Sequence, residues 1–197
     1  MRYLAAPIGW LQFWTFTVLG ILFFAFLIRA IVRRPKEAGD GKREAKSRNG
    51  IILQSVAFFI AGFGGVRLAL PLFSPAAIAS TAAVVVLMSG AMYLFAASSG
   101  ALGKNWSFEA RTLTDHQLIR TGPYARVRHP IYLGMFLFLL GMAVALGHWL
   151  ALIVAVPLFI VGTSIRTRLE DRLLEAQFGD EFRAYAASTP ALIPKLG

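Results

Sequence analysis

The chain has 197 residues, of which 57% are hydrophobic and 15% charged, and its formal net charge is +10. This composition is more apolar than that of a soluble domain, so we expect a single membrane domain over residues 1–197. The basic residues lie between long apolar runs and not on one face of a soluble fold, which disfavours nucleic-acid binding. The chain has no cysteine, which excludes disulfides, thiolate metal sites and cysteine nucleophiles.

Three apolar stretches are long enough to cross a bilayer as helices. About 30 Å of hydrocarbon requires roughly 20 apolar residues, because a helix satisfies its own backbone hydrogen bonds in lipid. The stretches cover residues 10–32, 51–70 and 76–98. We interpret residues 1–99 as a scaffold of three spans.

The remaining part, residues 100–197, has a different pattern. A polar loop rich in aromatic residues leads to the apolar region 131–165, which Gly147 and His148 interrupt near its middle. This predicts a short helical hairpin with arms of about 17 residues, or about 25 Å each. Apolar residues then recur at helical spacing from Leu169 to Tyr185, with Gly179 between them, which predicts an amphipathic interfacial helix.

The fold class predicted is therefore all-α: a polytopic membrane protein of about five transmembrane helices, the last two a short hairpin. Lys and Arg number eight over residues 29–48, five over 104–128 and five over 166–195, which leaves only Arg2 and Arg67. The positive-inside rule places those three segments in the cytosol and the amino terminus outside. We expect an integral protein of a bacterial cytoplasmic membrane, in contact with membrane lipids, with a cytosolic site and a cytosolic carboxy-terminal helix.

The first candidate site segment runs from Arg120 to Gly134. Pro123 and Pro130 fix φ, Gly122 permits an unusual turn, and aromatic rings alternate with guanidinium groups. Such a loop is rigid and rich in hydrogen-bond donors. The alternative interpretation is a basic anchor, in which arginines contact lipid phosphates and tyrosines form the interfacial belt.

The second candidate segment begins where the last apolar arm ends. Arg166 and Glu170 are four residues apart and share one helix face. A cation and an anion opposite a rigid polar loop could bind the two ends of a zwitterionic ligand. The alternative is an ordinary solvated helix start with an intrahelical ion pair.

Several standard sites are not expected. The glycines from Gly62 to Gly65 lie in an apolar stretch and lack the third glycine of a dinucleotide fingerprint, which favours close helix packing. The three histidines, His116, His129 and His148, lack the spacing of paired metal ligands, so no metal site is predicted.

An ordered set of motifs in the last ninety-five or so residues resembles the isoprenylcysteine carboxyl methyltransferase family and its relatives among phospholipid methyltransferases. The set comprises His116-Gln-Leu-Ile119, Gly122-Pro-Tyr124, Arg128-His-Pro-Ile-Tyr132, Arg166 with Glu170, the run from Phe178 to Tyr185, and Ile193-Pro194. Two positions depart from the family pattern: the acidic pair is Glu170-Asp171, and Ser188 to Ala191 lack an arginine.

The resemblance implies a helical membrane enzyme that uses S-adenosylmethionine as cofactor and methylates a lipophilic or lipid-modified substrate. By analogy, Arg166 would contact the substrate and serve in catalysis. The cofactor site would be lined by His116, Gln117, Leu118, Ile119, Tyr124, His129, Pro130, Ile131, Tyr132 and Glu170.

Two alternatives stay open at this point. One is a sterol-reductase-like membrane oxidoreductase that binds NADPH in the corresponding pocket, and the other is a non-catalytic membrane scaffold. Carboxylate, amine and thiol acceptors are all compatible with a polar loop beside lipid.

Overall fold

A computed structural model describes residues 5–32, 47–103 and 117–193. His116, Pro194 and most of the predicted first cytosolic loop lie outside the described residues. The described part is mainly helical. Its elements in chain order are β1 (Pro7–Ile8), α1 (Trp10–Val32), α2 (Ser47–Gly62), β2 (Arg67–Leu68), α3 (Pro75–Leu102), α4 (Pro130–Leu146), α5 (Leu152–Phe178) and α6 (Asp180–Ser188).

Three of these helices have the length and hydropathy of membrane spans. They are α1, α3 and the segment Trp149–Phe178, which contains α5. With 16 and 17 residues, α2 and α4 reach only about 24–26 Å at 1.5 Å per residue. The protein is an integral membrane protein, and the number of complete crossings remains a prediction.

The second predicted span is shorter than its apolar sequence suggested. Helix α2 starts at Ser47 and ends at Gly62, whereas the apolar pattern predicted a helix over 51–70. Glycines follow immediately, and Gly64 adopts a φ of +154°. The next residues instead pair Arg67 and Leu68 with Pro7 and Ile8 in a short parallel ladder.

The predicted hairpin is present, but its second arm is longer than expected. Helix α4 ends at Leu146, and Gly147 follows it in the left-handed conformation; a Cβ there would lie 2.3 Å from the Ala6 carbonyl oxygen. Only a glycine fits this turn. Helix α5 then continues without a break past residue 165 to Phe178, and Gly179, with φ of 53°, separates it from α6.

The helices pack mainly in two pairs, α3 with α4 and α2 with α5. One apolar core joins α1, α3 and α4 around Phe23, Met88 and Phe138. A second core joins α2, α4 and α5 around Leu139 and Phe159. Burial of these side chains away from lipid depends on close helix packing, because lipid supplies no hydrophobic driving force between helices.

The bundle has two chemically different ends. The closed end comprises β1, β2, residues 63–74, the turn 147–151 and the adjoining ends of α1, α2, α3 and α4. There the Ala6 amide donates to the Gly147 carbonyl over 2.8 Å. The polar end comprises residues 117–129, residues 47–54 of α2, the first turn of α4, the part of α5 from Arg166 onward, and α6. The predicted site residues that the structure describes lie at the polar end.

Candidate functional site

A short loop delivers the first residues of the site to the start of α4. Gly122, with φ of 62°, and Pro123 begin a single 3-10 turn, Gly122–Ala125, which buries Tyr124. The Tyr185 hydroxyl on α6 donates to the Tyr124 carbonyl over 2.6 Å. Burial raises the pKa of Tyr185 to about 12, so this hydroxyl remains a donor at neutral pH.

Arg128 joins the loop to both α5 and the carboxy-terminal segment. Its Nη1 donates to the carbonyls of Ala186, over 3.1 Å, and Thr189, and its Nη2 donates to Asp171 Oδ2 over 2.9 Å. The Arg128 and His129 amides also donate to the carbonyls of residues 190 and 191, over 2.9 and 3.0 Å. These bonds fix the loop in place beside the acidic pair of α5.

His129 lies between the two carboxylates of that acidic pair. Its Nε2 is 2.9 Å from Asp171 Oδ1 and its Nδ1 is 3.3 Å from Glu170 Oε2. Burial lowers the pKa of His129, but the bonds to Asp171 and Glu170 outweigh it and raise the value to about 9. At neutral pH this residue is therefore an imidazolium that donates to both carboxylates.

Glu170 is the centre of the arrangement. It accepts hydrogen bonds from the Tyr132 hydroxyl and from His129, and its Oε1 lies 4.0 Å from Arg166 Nη2. The guanidinium carbon of Arg166 lies 5.1 Å from the centre of the Tyr132 ring, within range of a cation–π contact. The Glu170 side chain keeps 25% exposure, so it can contact a ligand.

Helix α2 also contributes to the site. Arg166 Nη1 donates to Gln54 Oε1 over 3.2 Å, and Gln54 Nε2 donates to the Thr163 hydroxyl over 2.8 Å. All three side chains are buried. The site therefore extends into the half of the chain that the sequence pattern suggested was only scaffold.

The arrangement combines cations, carboxylates and aromatic faces at one end of an apolar bundle. A ligand with both charges, such as an amino acid group, finds Glu170 beside His129 and Arg166. Charge-assisted hydrogen bonds from such groups are stronger than neutral ones. The geometry suits a zwitterion bound next to a lipophilic molecule.

The structure brings most of the predicted site residues together. Those that share the cluster through contact or chain position are Tyr124, His129, Pro130, Ile131, Tyr132, Arg166 and Glu170. Among the described residues, Gln117, Leu118 and Ile119 form no side-chain hydrogen bond or ion pair with this cluster. The neighbouring Arg120 instead pairs with Glu181 on α6 over 3.0 Å. His116 lies outside the described residues.

Three contributors were not predicted. Arg128 stood in the quoted motif without a role, and Asp171 was noted only as the shorter member of the acidic pair. Gln54 lies in a stretch that the sequence analysis interpreted only as scaffold. The sequence feature that could have revealed Gln54 is a lone amide in an apolar run, because a buried amide needs a partner. Which residue is the partner depends on how α2 meets α5.

The fold and site together define a helical membrane protein with a charged, aromatic cluster at one end of its bundle. The sequence profile of the phospholipid methyltransferase family matches residues 79–181, which is 103 of 197 positions. The chain belongs to this family. The match includes α4 and α5 and therefore His129, Tyr132, Arg166 and Glu170.

Curated relatives agree with this assignment. The protein-S-isoprenylcysteine O-methyltransferase of Schizosaccharomyces pombe is 35% identical over 80 residues, covering 41% of this chain and 34% of the relative. The nickel-cobalt-cadmium resistance protein NccN of Alcaligenes xylosoxydans xylosoxydans is 38% identical over 81 residues, covering 41% and 37%. The matched region thus spans about a third of each of these relatives.

A solved structure shares the fold. The eukaryotic intramembrane Ras methyltransferase ICMT (isoprenylcysteine carboxyl methyltransferase) superposes with a TM-score of 0.57 at 21% identity, covering 91% of this chain and 64% of that one. The predicted family resemblance is confirmed. Although NccN is named for metal resistance, no group of three or more His, Asp or Glu side chains converges as metal ligands would within residues 5–32, 47–103 and 117–193.

Proposed function

We propose that this protein transfers a methyl group from S-adenosylmethionine to a lipophilic acceptor that arrives through the bilayer. The observation that carries the proposal is the pairing of Glu170 and Arg166, one turn apart on α5, around Tyr132. One carboxylate and one guanidinium, held by a shared aromatic residue, offer adjacent places for a cofactor and an acceptor.

The residues fit the proposed cofactor in chemical type. S-adenosylmethionine supplies an electrophilic methyl group on a sulfonium, together with an amino acid head and an adenine ring. The partly exposed Glu170 would hold the ammonium, and the rings of Tyr124 and Tyr132 would face the cationic and planar parts. The predicted lining also includes His116, Gln117, Leu118, Ile119, His129, Pro130 and Ile131.

His129 and Asp171 support this binding indirectly. Both nitrogens of the imidazolium are bonded to carboxylates, which fixes the orientation of Glu170 relative to α4. A carboxylate fixed in advance loses less entropy when it binds a cation. We therefore assign His129 a positioning role in cofactor binding.

Arg166 would hold the acceptor. A guanidinium matches a carboxylate with two parallel hydrogen bonds, and Arg166 is only 7% exposed, which strengthens such contacts. A carboxylate is already a nucleophile, so the residues need only align it and exclude water. The Schizosaccharomyces pombe relative is a protein-S-isoprenylcysteine O-methyltransferase, whose name describes an acceptor of this kind.

The membrane placement follows from the same proposal. The polar end would face the cytosol, where S-adenosylmethionine is made, and the amino terminus would face outward in a bacterial cytoplasmic membrane. The apolar helix surfaces would admit the lipophilic part of the acceptor from the side.

Calorimetry of S-adenosylmethionine binding to purified protein tests the cofactor assignment. Replacing Glu170→Gln removes the charge but keeps the shape, and we expect at least about a tenfold loss of affinity, since hydrogen bonds to charged groups contribute about 1.5–3 kcal/mol. Glu175→Gln is the matched control, because Glu175 lies on the same helix and contacts the exposed Arg183.

The outcomes separate the candidate functions. Equal affinity in both variants overturns the assignment of Glu170. Binding of NADPH in place of S-adenosylmethionine by the wild type favours the reductase alternative. Binding of neither cofactor favours the scaffold.

A further inference from the structure

We infer that Gln54 is a positioning residue that orients the Arg166 guanidinium toward the acceptor carboxylate without cancelling its charge. The inference rests on the proposed function, because it assumes that Arg166 holds the acceptor. It adds a residue from α2, outside the family-matched region of residues 79–181.

The contacts fix which way the Gln54 amide points. Arg166 has only donors, so the amide oxygen faces its Nη1 at 3.2 Å, and the amide nitrogen then donates to the Thr163 hydroxyl at 2.8 Å. Gln54 is 2% exposed. With the amide held at both ends, the guanidinium edge that it contacts is fixed as well.

The backbone is built to allow this contact. Helices α2 and α5 meet at Gly50 and Gly162, where a Cβ on Gly50 would lie 2.7 Å from the Gly162 carbonyl oxygen and 2.5 Å from Arg166 Cγ. A Cβ on Gly162 would lie 2.8 Å from the Gly50 carbonyl oxygen and 3.1 Å from Gln54 Cγ. The two glycines thus bring the stems of Gln54 and Arg166 alongside each other.

The neutrality of the amide matters for the chemistry. A carboxylate at this position would form an ion pair with Arg166 and compete with an anionic acceptor. An apolar side chain would remove this acceptor from the guanidinium edge. A glutamine accepts a hydrogen bond and adds no charge, which suits an arginine that must bind an anion.

Binding of two matched probes tests the inference. The probes are N-acetyl-S-farnesylcysteine, which carries a carboxylate, and its carboxamide, which differs only in lacking that charge. We expect Gln54→Glu to weaken binding of the carboxylate by about tenfold or more, with less than about a threefold change for the carboxamide and for S-adenosylmethionine.

Two further variants keep the test decisive. Gln12→Glu places the same charge on another buried glutamine, at the closed end, and controls for the general effect of a buried carboxylate. Gln54→Met adds no charge, and we expect it to lower kcat/KM for the carboxylate probe by several-fold. If Gln54→Glu does not fold, Gln54→Met decides the question.

Each outcome has one meaning. Three results would overturn the positioning role and leave the proposed function intact. They are an unchanged affinity of Gln54→Glu for the carboxylate probe, an unchanged kcat/KM of Gln54→Met, and equal losses of affinity for both probes. A wild type that binds S-adenosylmethionine but not the carboxylate probe overturns the carboxylate acceptor and this inference together. A wild type that binds no S-adenosylmethionine overturns the proposed function itself.

Discussion

Within the part of the chain that the structure describes, each end of the bundle contains one buried glutamine and one buried histidine, but their partners differ. At the closed end, Gln12 bonds the Val144 carbonyl over 2.7 Å and the Ser80 hydroxyl over 2.6 Å, and His148 contacts the carbonyls of residues 61 and 65. At the polar end, Gln54 bonds Arg166, and His129 bonds two carboxylates.

The difference indicates what each end does. At the closed end, the buried side chains bond neutral groups of other helices and tie those helices together, as expected of a structural seal. Charged partners are costly to bury and keep affinity for a ligand, so they suit a site. The same residue types therefore serve stability at one end and, under the proposed function, ligand binding at the other, according to what faces them.

Among these changes, replacing Arg128 should reduce the stability of the protein most. Arg128→Met loses the ion pair with Asp171 and the bonds to two carbonyls, and we expect the free energy of unfolding to fall by about 2–3 kcal/mol. Unfolding in detergent measures this. The exposed Arg126 lies two residues away, so Arg126→Met should change stability by less than about 0.5 kcal/mol. Equal effects of the two changes would show that the contacts of Arg128 contribute nothing to stability.

Raising the pH should weaken the polar end through His129. Its pKa is about 9 when folded, above the ordinary value of 6.5, so its stabilising contribution is complete below about pH 6.5. That contribution falls as the pH rises and is lost above about pH 9, with an overall size on the order of 2 kcal/mol. Melting temperatures recorded from pH 6 to 10 measure it.

A matched pair of variants assigns that pH dependence. His129→Gln should remove the component lost between pH 6.5 and 9, whereas His148→Gln, which removes a buried histidine at the closed end, should retain it. Persistence of the full decline in His129→Gln would assign the titration to another group.

The smallest effect is expected at the closed end. Ser80→Ala removes the hydroxyl that donates to Gln12, at a cost of about 1 kcal/mol in stability. Ser99→Ala is the control, since that hydroxyl bonds only within its own helix, to the Ala96 carbonyl. Neither change should alter S-adenosylmethionine affinity, and a loss of affinity in Ser80→Ala would contradict the separation of the two ends.

The sequence predicts the long elements well, because apolar length and glycine position are local signals. The hairpin turn at Gly147 and the break at Gly179 are both present. The predicted end of α2 was wrong, because residues 63–70 are apolar enough for a helix but do not form one. Their backbone pairs instead with residues 7–8, and a contact so distant in sequence leaves no local trace.

The site was predictable only where residues share an element or a motif. Arg166 and Glu170 meet because helical spacing places them on one face, and the loop motif brings His129 and Tyr132 to the start of α4. The role of Gln54 depends on the approach of α2 to α5, and Asp171 needs Arg128 and His129 opposite it. These pairings are tertiary, so a single sequence does not reveal them.

Transfer of a labelled methyl group tests the central claim most directly. We would incubate wild type and Arg166→Met with methyl-labelled S-adenosylmethionine and N-acetyl-S-farnesylcysteine, then treat the product with base. The account predicts label in the lipophilic product of the wild type, release of that label as methanol because a methyl ester hydrolyses, and little label with Arg166→Met. No label with the wild type, or label that resists base, would contradict it.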